Sequence, residues 1–290
     1  MTTVIAPSRL SAGKTASRRE RRRVWSLRLG LALLTVLVAA GILGLFWTPY
    51  PPEAMGVGPV YQAPSLSHPF GTDRLGADIL SRTMAAATTD VGITVIVVAL
   101  SFVVGSIWGS LAGFFGGWFD YVTMRVLELL NSFPSLLLAM LVISIAGPGV
   151  LKVILVVAVL PLPDYVRLTR VEIRSKKTWQ FADAARLVGR QPLGVLFVHL
   201  LPNSLGPVLS YASVNASWVA ATVGALGFLG LGIEPGSAEW GSMISRGQNA
   251  VLSGQWWVSF FPGLGIFLLA AAFHLIGDGI ADSRAKGGRA

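Results

Sequence analysis

Long uncharged runs dominate this sequence and restrict what it can fold into. No Asp, Glu, Lys or Arg occurs in residues 29–47, 91–119, 129–151, 200–233 and 247–273. Because a helix needs about 20 apolar residues to cross a bilayer, each run is long enough to form a transmembrane helix. A soluble core cannot bury runs of this length, and 53% hydrophobic residues against 13% charged ones agree with a membrane location. The sequence therefore predicts an all-α polytopic membrane protein.

Six transmembrane helices are predicted, near residues 27–47, 89–112, 123–146, 150–168, 205–229 and 257–279. The third and fourth are separated only by Gly147-Pro148-Gly149, which is typical of a tight turn. The predicted segments are a basic cytoplasmic tail at 1–25, a first transmembrane helix at 26–48, an external segment at 49–86, a core at 87–283 with a cytoplasmic loop at about 169–203, and a C-terminal tail at 284–290.

The distribution of basic residues predicts the orientation in the membrane. Eight Lys and Arg residues lie in the first 28 positions, and seven more lie in residues 167–190. The segments that we place outside hold only Arg74, Arg82, Lys152 and Arg246. By the positive-inside rule, both termini and the 169–203 loop are cytoplasmic. The net charge of +9 follows from this anchoring to lipid and does not indicate nucleic acid as a partner.

The sequence offers no catalytic or cofactor site of its own. Residues 13–15, Gly-Lys-Thr, end like a phosphate-binding loop, but Ser8 stands where that motif requires glycine. The three histidines are widely separated and there is no cysteine, so we expect no metal site. An intramembrane serine–histidine protease is the enzyme alternative, and it would need a histidine that faces a serine inside the bilayer.

Polar and small residues within the spans are candidates for packing or for a translocation path. Glycines at four-residue intervals, Gly105, Gly109, Gly113 and Gly117, are typical of close helix packing in lipid. Glu128 can pair with Arg125 three residues earlier, and Pro134 can kink the same helix after Asn131. Besides these structural roles, Glu128 and Asn131 are candidate residues of a translocation path.

Residues 182–203 read ADAARLVGRQPLGVLFVHLLPN, a charged and small-residue segment between long apolar runs. Asp183, Ala184 and Ala185 occupy one helical turn, so the low surface that they present can enter a groove on a partner. Gly189 is predicted to end this helix in a left-handed conformation, and Pro192 cannot continue it. An ordinary amphipathic loop helix is the alternative interpretation.

The spacing of this segment resembles the coupling loop of bacterial ABC importer permeases, whose pattern is E-A-A-x3-G-x9-I-x-L-P. Asp183 replaces the glutamate and His199 the isoleucine, whereas Leu201 and Pro202 match. The resemblance implies a type I importer transmembrane domain whose loop binds an ATPase through Asp183, Ala184, Ala185, Gly189, Leu201 and Pro202. It also implies a homologous B-type permease subunit, two cytoplasmic ABC ATPase subunits and an external peptide-binding protein as partners.

A second segment narrows the resemblance to one group of permeases. Residues 68–82, HPFGTDRLGADILSR, are similar to the H-P-x-G-T-D-x-x-G-R-D-x-x-S-R signature of C-type subunits in the dipeptide, oligopeptide and nickel family, with Ala77 in place of an arginine. We expect the charged residues of this segment to pair among themselves. Blocks at 227–243 and 256–282 agree, and we interpret Trp240, Trp256 and Trp257 in them as anchors at the membrane surface.

The function implied by the resemblance is peptide import with energy supplied by separate ATPases, so the chain itself is not expected to be an enzyme. Nickel chelates or another small solute are the alternative cargo. A self-contained channel or secondary carrier is the alternative from a different class. Such a carrier often shows inverted repeats, and the sequence shows no convincing internal repeat.

Overall fold

The computed structural model describes residues 9–234 and 236–287, and it shows a bundle of helices. Eleven α-helices occur in that part of the chain: α1 (Arg9–Phe46), α2 (Ile79–Phe115), α3 (Gly117–Asn131), α4 (Ser135–Ala146), α5 (Val150–Val159), α6 (Leu162–Lys176), α7 (Gln180–Leu187), α8 (Pro192–Gly194), α9 (Leu201–Phe228), α10 (Trp240–Leu252) and α11 (Trp257–Gly287). A π-helical turn, Val195–Leu200, joins α8 to α9. Within these residues β pairing is limited to one isolated bridge, so the predicted all-α class is confirmed.

Four helical segments are long and apolar enough to cross a membrane: Val24–Phe46, Ile79–Phe115, Pro192–Phe228 and Trp257–Ile280. They correspond to the first, second, fifth and sixth predicted spans. Helices α3 and α4 together are apolar enough for one more span, although they are bent by 82°. At most 39% of the apolar stretch in any of the four segments is buried within the chain, so most of the remaining side chains can face lipid or other subunits.

Two of the predicted spans are not continuous helices. The third, 123–146, is interrupted at 132–134, because Pro134 has no N–H to extend α3 and instead precedes the first residue of α4. The fourth, 150–168, is divided at Leu160-Pro161 into α5 and α6. Broken backbone at membrane depth is tolerated where it is buried in protein or lines a water-filled cavity. These two breaks therefore mark a region that does not face lipid.

Glycines on α2 permit a close approach of α6. A Cβ atom at Gly105, Gly109 or Gly113 would lie 2.4, 2.4 and 2.7 Å, respectively, from the nearest atom of α6. The predicted packing role of the glycine ridge is confirmed at these three positions. Gly117 does not belong to this glycine ridge, because α2 ends at Phe115 and Gly117 begins α3 with a φ of 57°.

The segment that precedes α2, residues 49–78, is held by hydrogen bonds and a histidine contact, and the predicted ion pairs among its own charged residues do not form. Asp78 caps α2 by accepting from N of Ser81 at 2.8 Å, and its other oxygen lies 2.9 Å from Nδ1 of His68. Arg82 donates to carbonyl oxygens instead of to a carboxylate. Because of the cap, α2 begins at Ile79, within the segment predicted to be external up to residue 86.

Helix α10 lies between the last two spans, in a segment for which the sequence predicts no helix. The carboxylate of Glu239 caps its N-terminus. Trp240 and Trp257 are buried, with 1% and 9% exposure, and the indole N–H of Trp240 donates to the carbonyl oxygen of Thr83 at 3.1 Å. Their predicted role as surface anchors is therefore wrong. Trp256 alone of the three is exposed, at 51%.

Candidate functional site

The 169–203 loop contains a short helix, α7, whose end agrees with the prediction from the sequence. Gly189 has a φ of 79°, the left-handed conformation that favours glycine. The N–H of Arg190 donates to the carbonyl oxygen of Ala185 at 3.2 Å, which is the bond of a Schellman motif. Pro192 then opens α8 and does not extend α7. The loop therefore presents one eight-residue helix with a defined C-terminus.

One side of α7 packs on the bundle and the other is open. Ala182 is fully buried in a cluster from α2, α6 and the π-helical turn: Phe114, Ile173, Val195, Leu196 and Leu200. On the open side Ala184 is exposed, and the side chains of Leu187 and Val188 are 89% and 85% exposed. An apolar patch at the tip of a helix is typical of a contact with another protein.

The predicted coupling residues lie in two different places. Gly189 is at the exposed end of α7, whereas Ala185 packs against the buried cluster. Leu201 packs against the same cluster, and Pro202 is in the first turn of α9. These last two residues lie away from the exposed tip of the loop. The side chain of Asp183 lies outside the described part of the structure.

Lysine side chains connect the loop to the membrane helices. Nζ of Lys177 donates to the carbonyl oxygen of Phe114 at 2.5 Å, at the end of α2. Nζ of Lys176 donates to the carbonyl oxygen of Asn203 at 2.9 Å, at the start of α9. A displacement of the loop would therefore be transmitted to two of the long membrane helices.

The candidate path residues lie on a polar face formed by α3, α6 and α9. Nη1 of Arg125 donates to Oε2 of Glu128 at 2.5 Å, so the predicted pair is confirmed, and both side chains are more than half exposed. With its oxygen turned toward α6, the side-chain amide of Asn131 accepts hydrogen bonds from Arg167 at 2.8 and 3.1 Å. The two predicted residues are thus one helical turn apart, and Asn131 is bonded to a neighbouring span.

The polar face continues from Arg167 to α9. Oδ1 of Asp164 lies 3.8 Å from Nη1 of Arg167, and its Oδ2 accepts from the hydroxyl of Tyr211 at 3.0 Å. The side chains of Asp164 and Arg167 are 57% and 39% exposed. Charges within a span are costly in lipid and normally face a bundle interior or water. This face is therefore covered by another subunit, by water or by both.

A cleft of about 210 Å³ adjoins the polar face where the two broken spans meet. Asn131, Phe133 and Ser135 contribute from the break between α3 and α4, and Val159 and Leu160 contribute from the break after α5. Discontinuous helices surround substrate sites in many transporters, because their free backbone groups can face a cavity.

Five residues of these two surfaces were not predicted from the sequence: Asp164, Arg167, Tyr211, Leu187 and Val188. Asp164 and Arg167 are charges three residues apart in an apolar span, the same signal that selects Glu128. Leu187 and Val188 are an apolar pair in a charged loop directly before Gly189. Both features are visible in the local sequence. Only the exposure of these side chains in the folded chain distinguishes them from residues that simply pack in the interior.

The three histidines remain apart in the structure. His68 contacts Asp78, His199 lies in the π-helical turn, and Nε2 of His274 is 3.8 Å from a carboxylate oxygen of Asp278 on the same helix. Among the described residues there is no group of three His, Asp or Glu side chains placed to hold a metal ion.

Known proteins similar to this chain are membrane components of bacterial transport systems. Residues 105–285 match the family described as binding-protein-dependent transport system inner membrane component. A probable D,D-dipeptide transport permease of Escherichia coli K12 is 35% identical over 89% of each chain. A di/tripeptide permease of Pseudomonas aeruginosa is 34% identical over 88% of this chain and 86% of its own length. A glutathione permease of Pectobacterium atrosepticum is 33% identical over 92% of this chain and 88% of its own length.

The match runs from the last third of α2 almost to the end of α11, and so includes both the α7 loop and the polar face. The relatives match a larger share, 88–92% of this chain. On this evidence the chain belongs to the family of inner membrane components of binding-protein-dependent transport systems.

Proposed function

We propose that this chain is one of two transmembrane subunits of an ATP-binding cassette importer for di- and oligopeptides. The observation that carries the proposal is the exposed tip of α7, formed by Ala184, Leu187 and Val188, in a loop bonded to α2 and α9. The cargo is supported by relatives of almost equal length that are named as peptide permeases. As a permease component, the chain is not an enzyme, and ATP hydrolysis belongs to separate subunits.

The tip of α7 is the surface that we assign to the ATPase. The small side chain of Ala184 lets a partner approach the helix closely, and Leu187 and Val188 can enter an apolar groove on that partner. Burial of a full aliphatic side chain stabilises a contact by about 1.5–3 kcal/mol. When the two ATPases close on ATP, the force on α7 passes through Lys176 and Lys177 to α9 and α2. The spans would then tilt between inward-facing and outward-facing states.

The orientation and the remaining partners follow from the basic residues and from the family. We assign the α7 loop and both termini to the cytoplasm of a bacterial cell, because most Lys and Arg residues lie in these segments. A binding-protein-dependent system requires a binding protein and an ATPase in addition to the permease. We propose a second, homologous B-type permease, two ATPase subunits and an external peptide-binding protein.

The polar face is the part of the chain that we assign to the translocation path. Its exposed charges, with Glu128 on α3 and Asp164 and Arg167 on α6, are incompatible with lipid. A second permease that covers this face would enclose water beside the cleft at Asn131. Such a wet path suits peptides, which are polar and differ in side chain from one molecule to the next.

Reconstitution in vesicles tests the cargo and the class of transporter together. We expect uptake of a labelled dipeptide that requires ATP, both ATPases and the binding protein, and that unlabelled short peptides inhibit. Labelled nickel given in parallel measures the alternative cargo. Nickel uptake that no peptide inhibits would contradict the peptide assignment. Uptake without ATPases would indicate a self-contained carrier.

The same vesicles test the role of the α7 tip. In the double variant Leu187→Ser/Val188→Ser we expect about a tenfold or greater loss of uptake and weaker co-purification of the ATPase, because the apolar contact is removed. The control is Leu66→Ser, at an outer side chain that is fully exposed. Normal ATPase binding by the double variant would show that the tip is not the docking surface.

A further inference from the structure

Three arginines converge on the end of the molecule opposite α7. Arg74 and Arg246 line a cleft of about 310 Å³, and Arg82 lies beside them in an adjoining pocket. The cleft is at the start of α2, and α7 packs near its end; α2 has 37 residues and is thus roughly 55 Å long at about 1.5 Å per residue. The rest of the lining consists of Ile233, Glu234, Ser242, Ser245 and four glycines between residues 227 and 236.

These arginines lack a carboxylate partner in the part of the chain that the structure describes. Arg82 is 3% exposed and donates to the carbonyl oxygens of Pro52 and Gly236, each at 3.2 Å. Arg246 donates to Ser242 and Ser237, again to neutral oxygens. Arg74 is exposed and makes no hydrogen bond or ion pair with a described residue. A buried guanidinium normally has an anion beside it, because an unpaired charge is costly to bury.

The lining of the cleft carries two arginines and one glutamate, an excess of one positive charge. Burial lowers the pKa of Arg246, and the charges of Arg82 and Arg74 lower it further, whereas Asp73 and Glu239 act in the opposite direction. A cleft with an excess of one charge concentrates ions of the other sign. Guanidinium groups are planar donors that suit a carboxylate, which can accept two parallel hydrogen bonds.

The lining of the cleft also includes an acid. Glu234 is exposed and lines the same space as Arg74 and Arg246. Acid and base in one cleft suit a zwitterion, whose ammonium and carboxylate ends are separated by a short backbone. The cleft volume is at the lower end of the range for small-molecule sites, so a short peptide fits better than a folded protein segment.

We propose that this cleft binds the carboxylate end of a short peptide through Arg74 and Arg246 before the peptide enters the path, with Glu234 facing its ammonium end. The proposal rests on the proposed peptide cargo and adds a site on the permease itself. Arg82, which donates to the carbonyl oxygen of Gly236, holds that residue in place and adds a positive charge beside the cleft.

A single cysteine in the cleft reports occupancy without depending on transport. The chain has no cysteine, so Ser245→Cys in the assembled complex gives one reactive thiol on this chain. We expect an anionic thiol reagent to label it, and millimolar dialanine to slow the labelling by about tenfold. The C-terminal amide of dialanine should protect far less. Peptide uptake by the same vesicles is measured separately. Failure of the proposed peptide cargo can therefore be distinguished from failure of the proposed cleft site.

Arginine variants decide whether the protection arises from the proposed contacts. Arg246→Gln should abolish protection by dialanine, and Arg74→Gln, at a side chain without described bonds, serves where the first variant does not assemble. Lys152→Gln removes another outer cation and should leave protection unchanged. Equal protection by peptide and amide, or none by either, would overturn the proposal. Protection by the binding protein alone would identify the cleft as a docking contact instead and would equally overturn it.

Discussion

At the scale of single residues, the backbone of Gly189 gives a sharp test of the α7 loop. Its φ of 79° is strained for any residue with a Cβ, although nothing lies within 4 Å of that position. Gly189→Ala therefore adds strain of about 1–2 kcal/mol without a clash. We expect uptake to fall roughly five- to thirtyfold, the change that this energy makes in a conformational equilibrium.

Gly194→Ala is the matched control for this substitution, because Gly194 is in the same loop with an ordinary helical φ of −65°. Uptake is measured at equal amounts of each subunit in the membrane. Normal uptake by Gly189→Ala would show that the left-handed end of α7 is not needed for coupling.

Residues whose role depends on the backbone were predictable, whereas residues whose role depends on exposure were not. The conformation of Gly189 follows from its place between a helix pattern and a proline. The ion pair of Glu128 follows from its spacing to Arg125. In contrast, Ala184 and Ala185 are adjacent and identical in the sequence, and only the folded loop shows that one is open and the other packed.

At the scale of elements, the contact of α2 with α6 depends on the absence of side chains at its centre. A Cβ at Gly109 would lie 2.4 Å from the carbonyl oxygen of Val166, and a backbone atom cannot turn away. We expect Gly109→Ala to destabilise the purified complex by about 1–3 kcal/mol, which lowers its melting temperature. The measurement is thermal unfolding in detergent.

Gly92→Ala on the same helix is the control, because a Cβ there meets nothing within 4 Å. This control should be neutral or stabilising, since alanine favours a helix by up to about 1 kcal/mol over glycine. Equal melting temperatures for the two variants would contradict the packing role of the ridge.

The long helices were predictable from the sequence, but their interruptions were only partly so. A run of apolar residues defines a span whether or not the helix is continuous, so 123–146 and 150–168 each read as one helix. Pro134 indicated a kink, yet the 82° bend depends on how α4 packs against α5. The sequence did not predict α10, because its hydrophobic face packs against other helices of the bundle and its 13 residues are too few to resemble a span.

At the scale of the whole molecule, this chain is one side of a larger assembly. The α7 tip and the cleft lined by Arg74 and Arg246 lie at opposite ends of the bundle, and the polar face lies on its flank. Each of these surfaces needs another component to cover it. The alternation of access requires that the tip and the cleft lie on opposite sides of the membrane. One long span, α9, separates the α7 loop from α10, which carries Arg246 of the cleft, so the order of the spans places the tip and the cleft on opposite sides.

Single cysteines in the cysteine-free chain test that arrangement. Leu66→Cys should react with an impermeant thiol reagent in intact cells, whereas Val188→Cys should react only after the cells are made permeable. The two side chains are 105% and 85% exposed in this chain, and the permease is expressed without its ATPases, so a difference between them reports the side of the membrane and not burial. The physical reason is the excess of Lys and Arg near the α7 loop, which is retained on the cytoplasmic side. Labelling of Val188→Cys in intact cells would place α7 outside, where no ATPase can reach it, and would remove the coupling assignment along with the orientation.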